Sequence, residues 1–145
     1  MGNKFSSMNK INFEDVQTAT KHPESYLLIN TLSDTEQICL IANTIHASNE
    51  EALINRYIQS NKHILIIIYG KHTNDDNLYK KYMQLQGLGF ANIYVYLGGL
   101  FEWLLLQDIY GCDEFPTTSK QLDILKYKPR PVLHVGLLEN GFNRS

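Results

Sequence analysis

Lys71, His72, Thr73, Asn74, Asp75 and Asp76 follow one another directly behind the apolar run Ile64-Leu65-Ile66-Ile67-Ile68-Tyr69 and Gly70. A lysine, an imidazole and two carboxylates in one short loop could exchange protons with a substrate or hold a small ligand. An unbroken apolar run closed by a glycine reads as a strand buried on both faces, so the loop hangs over the start of a helix expected near Asn77. In an open parallel sheet, that position beyond the carboxyl end of a central strand is where anions and nucleophiles gather. This loop offers no thiol, and a run of polar residues at a helix start is commonly no more than a solvated cap. Two cysteines lie elsewhere. Cys39 opens an apolar segment, where a small buried thiol is the ordinary role, and Cys112 follows an expected helix C-terminus, whose negative end raises a thiol pKa. Neither has ligand spacing, His22, His46, His63 and His134 are scattered, and no metal site or cofactor is expected.

The elements that would hold such a loop alternate between strand-like and helix-like, as in an α/β domain. Ile11 opens a short strand, and Asn12 can cap a helix from Phe13 to Lys21 that His22-Pro23 ends. Tyr26 to Ile29 reads as a second strand, Asp34 to Gln37 as a turn or short helix, and Cys39 to Ala42 as a third strand. Ser48 and Glu51 have the spacing of a capping box ahead of a core-facing stripe of Ala52, Leu53, Ile54, Tyr57 and Ile58, which Ser60-Asn61 stops. Ile64 to Tyr69 is the central strand, and the helix after the loop runs through Leu78, Tyr82 and Leu85 to a glycine stop at Gly87 or Gly89. Asn92 to Leu97 supplies a fifth strand, Gly98-Gly99 a tight turn, and Leu100 to Tyr110 a last helix ending at Gly111.

The pattern Gly87-x-Gly89-Phe90-x-Asn92-Ile93-x-Val95-x-x-Gly98-Gly99-x-x-x-Trp103 resembles the second half of rhodanese-like domains. Tyr26 to Asn30 is similar to that family's early strand, and Leu40 to Ile45 loosely to its next stretch, so that the resemblance covers about residues 10 to 112. It implies a single five-stranded parallel sheet flanked by helices. In the family's sulfurtransferases a cysteine directly follows the central strand and an arginine lies five residues on, and the thiolate sits in a cradle of backbone N–H groups where it forms a persulfide. Laid onto this chain, Tyr69 precedes the cysteine's place, Gly70 occupies it, and Asp75 stands for the arginine. Glycine forms no persulfide, while Asp75 and Asp76 would send carboxylates into the N–H groups meant for an anion. The same departure excludes the phosphatase variant of the fold. The resemblance therefore implies a catalytically inactive binding or scaffold module. The alternative is an enzyme using Cys39, Cys112 or the Lys71 to Asp76 loop.

Both ends of the chain suggest how such a module could be placed. Met1-Gly2-Asn3-Lys4-Phe5-Ser6 satisfies M-G-x-x-x-[ST], in which Gly2 receives a myristoyl chain in a eukaryotic or viral setting. One acyl chain binds membranes only marginally, with an association constant of order 10⁴ per molar, so a second signal or a partner protein is needed. Lys4 and Lys10 help weakly. Lys126, Lys128 and Arg130 could supply that signal on anionic lipid, at about 1 kcal/mol each. A flexible leader is thus expected over 1–9, the domain over 10–112, and an extension over 113–145. In that extension the apolar Val132 to Leu138 could add a strand, pack on the domain or bind a partner.

Composition bounds these readings. At 145 residues, 43% hydrophobic and 19% charged, the chain has material for one domain core. A net charge of −2 and a pI near 6.2 give no basic excess for nucleic acid. No stretch approaches the roughly 20 apolar residues of a membrane span. The expectation is a cytoplasmic protein with reversible membrane contact, an unidentified protein partner and, in a viral setting, association with the virion. A soluble, unlipidated interaction protein is the remaining alternative.

Overall fold

The computed structural model of the chain describes residues 7–73 and 75–133. Gly2, Lys4, Asn74 and most of the Val132 to Leu138 segment lie outside the described residues.

Five parallel strands, β1 (Lys10–Ile11), β2 (Tyr26–Asn30), β3 (Thr44–Ile45), β4 (Leu65–Tyr69) and β5 (Ile93–Tyr96), form one sheet in the order β1-β5-β4-β2-β3. Among the described residues four α-helices cover it: α1 (Phe13–Lys21), α2 (Ala47–Ser60), α3 (Asp76–Gly87) and α4 (Gly99–Tyr110). Single 3₁₀ turns occupy Asp34–Glu36 and Ile124–Tyr127. This is the expected α/β architecture.

Successive side chains of a strand point to opposite faces, and β4 builds two cores from that rule. Ile66 and Ile68 enter a layer with Leu27, Ile29, Ile93 and Val95, covered by Ile54 of α2 and by Leu78, Tyr82 and Leu85 of α3. Ile67 and Tyr69 enter the other layer with Leu28 and Tyr96, covered by Val16 and Ala19 of α1 and by Leu100, Trp103 and Leu104 of α4. A strand buried on both sides has no place for a polar residue, which is why its sequence is continuous rather than alternating.

Asn12 caps α1 as its position suggests, accepting from Glu14 N at 2.9 Å, while the Asp15 carboxylate reaches back to the Asn12 amide. The start of α2 differs from expectation. Its N-cap is His46 rather than Ser48, because Gln37 Oε1 accepts the Ala47 N–H at 3.0 Å and His46 Nδ1 accepts that of Ser48 at 3.2 Å. The third strand also differs. Cys39, Leu40 and Ile41 are buried, but their backbone turns to the C-terminal segment: Thr118 N donates to Leu40 O at 2.7 Å, Ala42 N to Pro116 O at 3.0 Å, and Ile41 forms an antiparallel bridge with Thr117. Asn43, at a φ of 67° that asparagine tolerates, then swings the chain into β3.

The segment after Cys112, expected as an exit from the domain, packs on it as far as Tyr127. Phe115 and Tyr127 are buried in the α1/α4 layer, and Pro116 O accepts the Trp103 indole N–H at 3.1 Å. Gln107, itself buried, donates to Phe115 O at 2.8 Å and to Thr117 Oγ1 at 3.0 Å. Two large aromatic side chains outweigh the polar residues around them in deciding where this segment lies.

Candidate functional site at the carboxyl end of the central strand

β2 and β4 are paired so that Asn30 lies opposite Tyr69, which brings Thr31 beside Gly70 where both strands leave the sheet. Thr31 N donates to Tyr69 O at 3.0 Å. Gly70 is buried, and the loop that follows is held from three sides.

The first hold comes from α4. Its N-terminal amides are turned onto the loop: Leu100 N donates to Gly70 O at 2.9 Å and Phe101 N to Lys71 O at 2.8 Å. Helix N-termini carry unpaired amides, and here the loop's own carbonyls satisfy them. The approach is close enough to require glycine at position 99, where φ is +67° and a Cβ would lie 2.7 Å from Gly70 O and 2.9 Å from His72 N.

The second hold is Asp75, the N-cap of α3. Its Oδ1 accepts from Asn77 N at 3.0 Å, and its Oδ2 from Lys71 N and from Thr31 Oγ1, both at 3.3 Å. The carboxylate thereby fills the space beside Gly70. A Cβ on residue 70 would stand 2.2 Å from Asp75 Oδ2 and 2.7 Å from Thr31 Oγ1. The amides that could receive an external anion receive this internal one.

The third hold is an ion pair, Lys71 Nζ to Glu36 Oε2 at 3.0 Å. Burial pushes the Glu36 carboxyl up, but bonds from Lys71 and Ser33 outweigh it and hold the group below the usual carboxylate range. Glu36, Asp75 and Asp76 line a cavity of about 320 Å³ together with Thr31 and Lys71. Three of its lining side chains are thus carboxylates, beside Lys71 and His72.

His72 lines both this cavity and a second one that Lys71 also borders; Thr73 is exposed. Tyr69 points into the α1/α4 layer, where its hydroxyl accepts from Ile41 N at 3.0 Å and lies 2.8 Å from Thr44 Oγ1. Burial raises its pKa well beyond the usual tyrosine value despite those bonds.

The two thiols sit elsewhere. Cys39 is buried, with its S–H donated to Ser119 O at 3.3 Å. Burial pushes this thiol up, against smaller opposing effects of Ser119, Thr117 and Lys126. Cys112 is exposed beyond the end of α4. Among the described residues no three His, Cys, Asp or Glu side chains converge where they could hold a metal ion, and no helix is long and apolar enough to cross a membrane.

Of the residues expected to carry lipid contact, Lys10 lies on the edge strand β1, and Lys126, Lys128 and Arg130 surround the second cavity with Lys71 and His72. Sequence reading did not single out Thr31 or Glu36. Their part in the site comes from the β2–β4 pairing, which a one-dimensional pattern does not display.

A family model described as "Rhodanese-like domain" matches residues 9–106. Among solved structures, the fold is similar to the Alr3790 protein of Anabaena sp., at 20% identity over 80% of this chain and 97% of that chain, with a TM-score of 0.55. It is likewise similar to the BH2092 protein of Bacillus halodurans, at 13% identity over 88% and 95% of the two chains and a TM-score of 0.57. A thiosulfate sulfurtransferase of Pseudomonas aeruginosa aligns at 14% identity over 92% of this chain and 26% of that one, TM-score 0.54. A search by sequence among curated proteins finds no match. At these identities the structural likeness speaks for the fold alone.

Proposed function

The chain belongs to the rhodanese-like domain family, and we propose that this member does not transfer sulfur but serves as a binding or scaffold module. In this reading Gly2 carries a myristoyl chain, and the module attaches reversibly to the cytoplasmic face of a membrane or to a partner protein, or to a virion if the setting is viral.

One observation supports the loss of chemistry above all. The Asp75 carboxylate stands where a side chain on residue 70 would have to be, bonded to the amides and hydroxyl that would otherwise serve a bound anion. A persulfide needs a thiol in that space, and a second anion there would be repelled by the first. Cys39, buried with its pKa raised, is a poor substitute nucleophile.

The test is incubation with thiosulfate and cyanide, followed by intact-mass measurement. The expected result is no thiocyanate and no added sulfur. Turnover, or a persulfide on Cys39 or Cys112, would establish the enzyme instead. Lipidation is checked separately: protein made in a eukaryotic host should carry the mass of one myristoyl chain on Gly2, and an unmodified Gly2 would leave a soluble interaction protein.

A further inference from the structure

Lys71 and His72, which line the cavity shared with Asp75 and Asp76, also line a second and basic one. Lys71, His72, Lys126, Lys128 and Arg130 surround a cleft of about 540 Å³, and no carboxylate is among the described residues that line it. We propose that this cleft binds a compact polyanion carrying two or more phosphate groups. The proposal deepens the membrane reading given above, since such a polyanion can be a phosphorylated lipid headgroup or a free phosphorylated metabolite.

The cations come from two distant parts of the chain, and each part is anchored. Lys71 follows the buried Gly70, and its carbonyl is fixed by Phe101 N at 2.8 Å. Lys126 and Lys128 flank Tyr127, which is 2% exposed in the α1/α4 core. The Lys126 ammonium lies 5.3 Å from the centre of the Tyr127 ring. Lys128 and Arg130 each precede a proline, which biases both towards extended backbone, and Lys128 has φ −69° and ψ 154°. The positive groups are thus carried on chain whose freedom is already reduced, and less ordering remains to oppose binding. Arginine adds a planar fork suited to two phosphate oxygens, and the lysines add point charges. A myristoyl chain and a headgroup cleft together would meet the two-signal requirement for stable attachment.

Lys71 is shared with Glu36 at 3.0 Å, which supplies a specific signature. Removing the Glu36 charge frees the ammonium for the ligand, so Glu36→Gln should bind more tightly than wild type.

The experiment has a soluble and a membrane arm, both on the full chain. Calorimetric titration of unacylated protein with inositol 1,4,5-trisphosphate should give saturable binding, weakened about fivefold by each of Lys71→Ala, Lys128→Ala and Arg130→Ala. The exposed control Lys21→Ala/Lys120→Ala should bind as wild type, and circular dichroism confirms that each variant is folded. Acylated protein is then sedimented with phosphatidylcholine vesicles with or without phosphatidylinositol 4,5-bisphosphate. Binding in both arms with the same variant ranking supports the lipid source. Binding of the soluble probe alone keeps the cleft, assigns it a free metabolite and removes the membrane reading. Vesicle binding that Lys71→Ala leaves untouched, with the soluble probe silent, overturns the cleft while the membrane reading stands. Silence in both arms overturns the proposal.

Discussion

The turn after β5 and the loop after β4 meet at the same end of the sheet, yet they have been put to opposite uses. In the first, Gly98, Gly99 and Trp103 do purely structural work: Gly99 lets α4 approach, and Trp103, fully buried, closes the helix onto the sheet and ties down Pro116. In the second, the position that could carry chemistry is a glycine whose side-chain space an aspartate has taken. The two are physically joined, since α4 amides grip Gly70 and Lys71 through their carbonyls. That part of the grip acts on backbone carbonyls and does not depend on the side chains of residues 70 and 71, whereas the space beside Gly70 does, because a Cβ there would meet Asp75 Oδ2.

The largest loss is expected of Trp103→Ala, which removes a buried ring and the hydrogen bond to Pro116. It should cost about 3–5 kcal/mol in a urea unfolding titration. A small loss would mean the turn after β5 is not the stronger support. Gly99→Ala comes next. With φ at +67° and a Cβ 2.7 Å from Gly70 O, it should cost about 3 kcal/mol and loosen hydrogen-exchange protection at Leu100 and Phe101.

Asp75→Ala tests the other side and should cost about 1–2 kcal/mol as a lost helix cap. Gly70→Ala should be destabilising alone, because its methyl group would collide with the Asp75 carboxylate, and should be less so when Asp75→Ala is present. Additive losses in that double-mutant cycle would show that the carboxylate does not fill the space.

The smallest effect concerns Glu36. Its carboxyl lies lower in the folded protein than in an unfolded chain, where it titrates near 4.5, so its contribution is complete above that pH and lost as pH falls through the folded value. Glu36→Gln should cost under about 1 kcal/mol at neutral pH, and should flatten the acid limb of a stability profile below pH 4.5. An unchanged limb would deny the pairing with Lys71 any part in holding the loop.

How far the sequence could be read depended on whether local chemistry or distant partners decided each element. The β4 run, the Asn12 cap and the Gly98-Gly99 turn are local, and all appear as expected. The Ser48–Glu51 pattern failed because Gln37, ten residues before Ala47, supplies the acceptor at the start of α2. Cys39 to Ala42 has the composition of a strand, but its hydrogen-bond partners lie near residue 117. At the candidate site the position and N-cap role of Asp75 are legible, whereas Thr31 and Glu36 join it only through the β2–β4 register. The burial of Phe115 and Tyr127 was equally hidden, two aromatics in a stretch otherwise polar enough to pass for a tail.

The outermost strands of the sheet, β1 and β3, contain two residues each. A ribbon that short offers a neighbouring molecule almost no row of open amides on which to extend, and Lys10 adds a charge to one side. The isoleucine-rich middle, which would be prone to fibril growth if it lay at a margin, is enclosed by its own flanks. Concentrated solutions of the folded protein should therefore resist stacking through addition to these short edge strands.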